Sequence, residues 1–436
     1  MMEVMSRRLV LPPVHRRRLL GGAAVLGAAV TWPLAARVSA ETGSARLPAD
    51  EVPLEAPGSA ARGSDSTWRT GPMDTEAFAL VGLTWDAGAR TPTRVRVRTR
   101  QAGSWSSWRT LPLLTDGPDT SSAEGRVARR GTQPLWVGSA DGVEVSLDGA
   151  SPDGLRLSLV DPGRDTAAAA RAGADPGEDP TDEPGDEPGD EPGDEPSDEP
   201  SASSSPTADP SEDPSEDPEV EPTDPSGEPT TRAKVRAPQP DLRSRKDWGA
   251  DDSWRDGKPV LCRTIQQVHV HHTASGNDYS RQDVPALIRS FYRYHTRSLG
   301  WSDIGYNFLV DRFGRTWVGR AGGPSRPIRG AHTLGFNHTS VGIAVIGNYE
   351  SAAAVDRIVT AVVRLAAWKL DRYDRKPRGR TRVYSHGSDK HPKGWVKLKV
   401  IDGHRDTNDT ACPGDRLYAK LPEIRRRTHL HVKRWS

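Results

Sequence analysis

The chain has little cysteine, little methionine and few aromatic residues: two Cys, four Met, and 6% Phe, Trp and Tyr in 436 residues. Two thiols cannot build a disulfide framework or a four-thiolate zinc site. No apolar run beyond residue 40 is long enough to cross a bilayer, so no integral membrane segment is expected once an N-terminal signal is removed. Hydrophobic residues make up only 34% of the chain, against 37 Pro and 42 Gly. The stretch from Ala172 to Thr230 holds 22 Asp/Glu and no Lys or Arg. Such a segment repels itself, is stiffened by proline and has almost nothing apolar to bury. Residues 163–240 are therefore expected to form an acidic, Pro-rich, disordered linker.

That acidity masks a strongly basic C-terminal half. The formal net charge is +1, yet from Thr231 onward 39 Lys/Arg face 19 Asp/Glu. A half so basic expects a polyanionic partner, whether nucleic acid, anionic lipid or an anionic cell-wall polymer. No nucleic-acid-binding motif accompanies the charge, so no nucleic acid is expected, and anionic wall polymers stay open. At the N-terminus, Arg16-Arg17-Arg18 precedes an apolar run from Leu19 to Val30, and Val38-Ser39-Ala40 supplies small residues for cleavage. Residues 1–40 read as an export signal, twin-arginine or general secretory, which places the mature chain outside the cytoplasm, secreted or in the cell wall.

Two folded units flank the linker. In residues 66–162, Phe78–Trp85, Arg94–Arg100, Pro134–Val137, Val143–Leu147 and Leu155–Val160 read as strands, separated by turn signals such as Asp116-Gly117-Pro118. No helix is expected there, and the unit reads as a β-sandwich-like accessory domain. Its Trp85, Trp105, Trp108 and Trp136 suit either stacking against wall sugars or ordinary core packing. Residues 241–427 read as α/β. Strands are expected at Val268–His272, Tyr306–Asp311 and Val341–Gly347. Helices are expected from Ser280 through Arg297, over Val355–Tyr373 and over Asp415–Arg427. The architecture is a central mixed β-sheet flanked by helices.

Eleven of the twelve histidines follow residue 268. His269, His271 and His272 end an apolar strand, whose alternation puts the first two on one face and His272 on the other. Gly403-His404-Arg405-Asp406 and Cys412-Pro413-Gly414 come much later. A catalytic zinc takes three nitrogen or sulfur ligands and keeps a fourth position open, which two histidines and one cysteine would satisfy. In an exported chain the same cysteine is also a ready partner for a Cys262–Cys412 disulfide. Spacing alone does not choose between the two.

Residues 241–425 resemble the peptidoglycan recognition protein family of zinc N-acetylmuramoyl-L-alanine amidases. The matching segments are Arg245-Lys246-Asp247-Trp248-Gly249-Ala250, Val270-His271-His272-Thr273-Ala274 and Gly300-Trp301-Ser302-Asp303-Ile304-Gly305-Tyr306-Asn307-Phe308. Gly330-Ala331-His332, Ser340-Val341-Gly342-Ile343, Gly403-His404-Arg405-Asp406 and Thr410-Ala411-Cys412-Pro413-Gly414 complete the set. The resemblance implies His271, His404 and Cys412 as zinc ligands, which leaves Cys262 without a partner in the chain. It implies Tyr306 as a second donor to the oxyanion and Thr410 as an assisting residue, with no general base assigned. His332 falls at a groove residue, and Asn337 at a contact to the stem peptide or a turn. Gly300, Trp301 and Arg320 resemble the pattern associated with diaminopimelate-type stem peptides, whose extra carboxylate a guanidinium can bind bidentately. The implied activity is hydrolysis of the amide between N-acetylmuramic acid and L-alanine in peptidoglycan. A non-catalytic module that binds wall fragments is the alternative.

Overall fold

The computed structural model describes residues 46–55, 67–149, 151–163 and 237–435. The expected export signal at 1–40 and nearly all of the expected linker at 163–240 lie outside the described residues. The first sheet is built on two long antiparallel strands, Met73–Trp85 and Leu135–Asp148, within nine strands. The second long strand runs unbroken through Gly138 to Gly142, where the sequence suggests two separate strands. Register shifts between Asp74 and Phe78 and between Phe78 and Leu80 bend the first strand as bulges do. Arg94–Gln101 shows why alternation is readable. Val95, Val97 and Thr99 point into the core, while Arg96, Arg98 and Arg100 pair with Asp148, Glu144, Asp74 and Asp141 on the other face.

The tryptophans of this unit divide. Trp85 and Trp136 are buried. Trp105 and Trp108 lie half-buried under Arg96, Arg98 and Arg100, so the four do not form one open stacking platform. The expectation of no helix is also corrected. Ala123–Val127 is helical, capped by Ser122, whose Oγ accepts from Gly125 N. With five residues and none of them buried, it carries no apolar periodicity to read.

The second sheet has five strands in the order Thr316–Val318, Phe308–Val310, Ser340–Val345, Gln267–His272 and Ile401–Gly403. All pairings are parallel except the first, so the sheet is mixed. Val268 and Val270 face helices Asp356–Asp371 and Leu421–Arg434 in one core. The opposite face meets helix Val284–Arg293 through Leu287, Ile288 and Phe291. That helix starts with Pro285 in its first turn, where proline costs no hydrogen bond. It ends in a wider turn over Tyr294–Ser298 and stops at Gly300, whose φ of 72° suits glycine. The expected helix over 415–427 is two helices, Asp415–Tyr418 and Leu421–Arg434, the second opened by Pro422. A separate hairpin-like pair, Arg380–Ser385 with Gly394–Lys399, covers Phe336.

The two sheets share a seam. Ala79, Leu80, Trp136 and Val160 of the first unit pack in one core with Trp248, Phe291, Tyr294 and Trp301 of the second. Tyr294 is fully buried, its hydroxyl 2.8 Å from Thr132 O and 3.1 Å from Leu83 O. A Cβ at Gly82 would lie 2.6 Å from the Tyr294 ring, so glycine is what lets the ring approach. Burying one such side chain is worth about 1.5–3 kcal/mol. The seam is therefore held by packing and does not depend on a few surface contacts.

Candidate metal centre and its groove

The site forms where three segments end. His271 stands near the end of central strand Gln267–His272, and its neighbour Val270 pairs with Gly403 just before His404. Cys412 comes from the next loop, which is tied back by Arg405 N donating to Cys412 O at 2.9 Å and by an Arg405–Asp415 pair at 2.6 Å. Gly414, at φ 85°, runs so close to Tyr349 that a Cβ would meet its carbonyl carbon at 2.3 Å. These constraints bring ligand atoms of His271, His404 and Cys412 within 4.8 Å of one another, all buried. Cys412 Sγ lies 3.7 Å from His271 Nδ1 and accepts from His272 N at 3.4 Å. The far nitrogen of His271 meets His332 Nδ1 and Thr333 Oγ1, both at 3.2 Å, which fixes the ring's orientation as outer partners of ligating histidines do. Both cysteines are free thiols, so no Cys262–Cys412 disulfide forms.

The donor set fits a zinc ion. Two imidazoles and a thiol in a tight, buried cluster are the ligand types that zinc selects. His404 Nδ1 lies 2.9 Å from Asp116 Oδ1, and its Nε2 is buried without a hydrogen-bond partner. A buried, unpartnered imidazole nitrogen beside a second imidazole and a thiol is the kind of donor a metal ion would satisfy. Burial pushes the Cys412 thiol well up and His271 well down, and the neighbouring His404 adds to the latter. A bound cation would reverse the preference of the thiol, since a coordinating thiol loses its proton.

Asp116 belongs to the first unit, and nothing in the sequence links it to this site except a turn signal. Its Oδ2 accepts from the Tyr306 hydroxyl at 2.5 Å, and its Oδ1 lies 3.7 Å from His271 Nδ1. Burial and Asp116 together push the Tyr306 hydroxyl well up, so it stays protonated and able to donate. Thr410 touches the centre only through the chain: its Oγ1 accepts from Cys412 N at 3.2 Å.

The other expected residues lie around this centre, and all of them except Gly300 are buried. Trp301 stacks on His295 at 4.5 Å, and Gly300 sets the turn that leads to it. Arg320 donates to Ser302 Oγ at 2.8 Å and to Glu124 Oε1 at 2.5 Å. Asn337 Oδ1 accepts from His332 N and Thr333 N, and its Nδ2 donates to Gly117 O and Asp119 Oδ1. Asn337, wholly buried, thus ties the turn at His332 and Thr333 to residues 117–119 of the first unit. His332 is wholly buried against Gly342, where a Cβ would come within 2.4 Å of its ring. His272 accepts from Tyr349 N on the other face of the strand, and His295 accepts from Gly305 N. Each ring is thus held by a backbone N–H of a neighbouring loop. His269 pairs with Asp402 at 2.5 Å and stays out of the cluster.

A mixed sheet carrying a buried His–His–Cys cluster, with Tyr306, Arg320 and Asn337 beside it, defines an amidase-like α/β fold. Residues 262–415 match the family model described as N-acetylmuramoyl-L-alanine amidase. Residues 36–184 match the one described as Rv3811 N-terminal galactose-binding domain-like. Peptidoglycan-recognition protein SC1a of Drosophila melanogaster is 30% identical over 179 residues, 41% of this chain and 82% of that protein. The human N-acetylmuramoyl-L-alanine amidase is 31% identical over 187 residues, 42% of this chain and 28% of the human protein. The solved structure of bumblebee PGRP-SA is 27% identical, with a TM-score of 0.33, covering 42% of this chain and 94% of that one. The chain belongs to the peptidoglycan recognition protein and N-acetylmuramoyl-L-alanine amidase family. No helix among the described residues is long and apolar enough to cross a membrane.

Proposed function

We propose that the chain is an exported, zinc-dependent N-acetylmuramoyl-L-alanine amidase that cuts the amide between N-acetylmuramic acid and L-alanine in peptidoglycan. The observation that carries this reading is the meeting of His271, His404 and Cys412 in one buried cluster. Zinc held by these three would polarise the scissile carbonyl and bring the pKa of a water ligand to about 7. The Tyr306 hydroxyl donates to the carbonyl oxygen as it gains charge, the kind of preorganised contact that lowers the barrier most. His332 and Thr333 hold the His271 ring, and Thr410 holds the backbone at Cys412. Arg320, beside Trp301 and Gly300, binds the extra carboxylate of a diaminopimelate-type stem peptide, and Asn337 meets the peptide backbone.

In this reading residues 1–40 direct export. The accessory domain at 66–162 and the amidase domain at 241–427 are joined by the acidic linker at 163–240. The excess of Lys/Arg beyond Thr231 draws the amidase domain to anionic wall polymers. The test uses purified full chain and its Asp116→Ala variant on diaminopimelate-type peptidoglycan, counting new L-alanine amino termini. Chelator-sensitive, zinc-restored release is expected. Zinc-loaded protein that binds the wall and frees no termini in either form would make this a recognition protein instead.

A further inference from the structure

The segment between strands Arg109–Leu111 and Arg130–Gly131 of the first unit contributes nothing apolar to its own core cluster beyond Leu111. It crosses to the residues around the candidate metal centre of the second unit. Asp116 is buried at the metal centre, its two oxygens shared between Tyr306 and the two histidines. The carbonyl of Gly117 accepts from Asn337 Nδ2 at 2.9 Å. Asp119 Oδ1 accepts from Gly335 N at 2.8 Å and from the same Asn337 amide at 3.1 Å. Further along, Glu124, in the capped turn Ala123–Val127, accepts from Arg320 Nη2 at 2.5 Å and from Ser302 N at 3.0 Å. A Cβ at Gly117 would stand 3.7 Å from the Trp301 ring, so the chain also lies along the aromatic wall. Three carboxylates and a peptide carbonyl thus meet the residues assigned above to a peptide that itself carries carboxylates.

We propose that residues 115–124 are a built-in occupant of the amidase groove, a peptide mimic that keeps the chain latent. Asp116 fills the position beside His271, His404 and Tyr306 that the scissile carbonyl or the attacking water needs. Glu124 holds Arg320 as the substrate carboxylate would, and Asp119 with Gly117 holds Asn337. An acidic stem peptide and this segment compete for the same donors, so activity requires the segment to leave. The seam through Leu80, Trp136 and Tyr294 gives the segment a high local concentration, which an arriving substrate must overcome. The inference rests on the function proposed above for the meaning of the groove. It is separable from that function by experiment.

The test is made on the full chain, on Glu124→Gln, on Asp116→Ala and on the double variant Asp116→Ala/Glu124→Gln. Two readouts are taken: binding of a diaminopimelate-containing muramyl tripeptide by calorimetry with zinc-free protein, and release of L-alanine termini with zinc-loaded protein. Glu124→Gln is expected to tighten tripeptide binding by about tenfold. The double variant is expected to tighten it further and to raise the cleavage rate at least tenfold. With cobalt in place of zinc, the visible absorption of the parent chain is expected to change on Asp116→Ala as a carboxylate neighbour is lost. Unchanged or weaker tripeptide binding in Glu124→Gln and in the double variant, with native thermal midpoints, overturns the proposal. So does a fall in cleavage on Asp116→Ala, which would make that carboxylate a participant in the chemistry. If latency fails while zinc binding and cleavage persist, the amidase reading stands. If no cleavage occurs in any form while the variants still bind the tripeptide more tightly, the mimic stands and the amidase reading falls.

Discussion

Replacing Arg320 by Ala tests how the groove chooses its substrate. The Arg320 side chain is 6% exposed and bonded to Ser302 and to the carboxylate of Glu124, so Glu124 stands where the proposed function puts the second carboxylate of a bound stem peptide. A hydrogen bond to a charged group contributes about 1.5–3 kcal/mol. Losing it only for the substrate that carries the extra carboxylate should therefore lower its kcat/KM by roughly 10- to 150-fold. A lysine-type muropeptide lacks that carboxylate and should lose much less. The assay is the ratio of kcat/KM for the two muropeptides, measured on the same preparation. The ratio is the useful quantity because freeing Glu124 would also alter latency and stability, and both substrates meet those changes equally. Equal losses on the two muropeptides would refute the assignment of Arg320 to the diaminopimelate carboxylate.

Other perturbations probe separate parts of the account. Tyr306→Phe keeps the ring beside His271 and removes the donor. It should lower kcat by roughly a hundredfold with zinc content unchanged, and full kcat would remove Tyr306 from the mechanism. Gly82→Ala forces a methyl into the Tyr294 ring and should cost about 1–3 kcal/mol, read as a lowered urea midpoint. A neutral result would show the seam to be looser than the packing implies. Burial holds His295 and His338 at a pKa of about 3, so the native state stays neutral where the unfolded chain takes up protons. Stability of the metal-free protein should be complete above pH 6.5. It should fall as the pH drops below that value, on the order of 2–3 kcal/mol per histidine by pH 4.5. A flat profile of urea midpoints between pH 7 and 4.5 would contradict this.

Regular structure is legible where one physical pattern governs it. Alternation exposes Arg94–Arg100 as a strand, because its arginines face carboxylates while its valines enter the core. The run Val355–Tyr373 reads as a helix because its apolar residues recur at helical spacing, and Asp356–Asp371 is helical. The last helix reads as one over 415–427, whereas Pro422, a first-turn proline, marks where its second part, Leu421–Arg434, opens. The paired strands Arg380–Ser385 and Gly394–Lys399 escape because their Lys- and Arg-rich alternation leaves few residues buried. At the centre, chemistry names the ligand types, and it is family resemblance that selects His271, His404 and Cys412. Asp116 is invisible for a different reason. It stands 190 residues from Tyr306, in another unit, and its Asp-Gly-Pro context says only that the chain turns there. Contacts made by the docking of two units leave no periodic trace in either.

The most direct test of the central claim compares bound zinc in the parent chain and in Cys412→Ser, His404→Ala and Cys262→Ser after dialysis against metal-free buffer. The account predicts one zinc per parent chain and per Cys262→Ser chain. It predicts almost none in the other two, with release of L-alanine termini lost in step. Zinc retained at one equivalent in Cys412→Ser and in His404→Ala, or lost in Cys262→Ser, would contradict it.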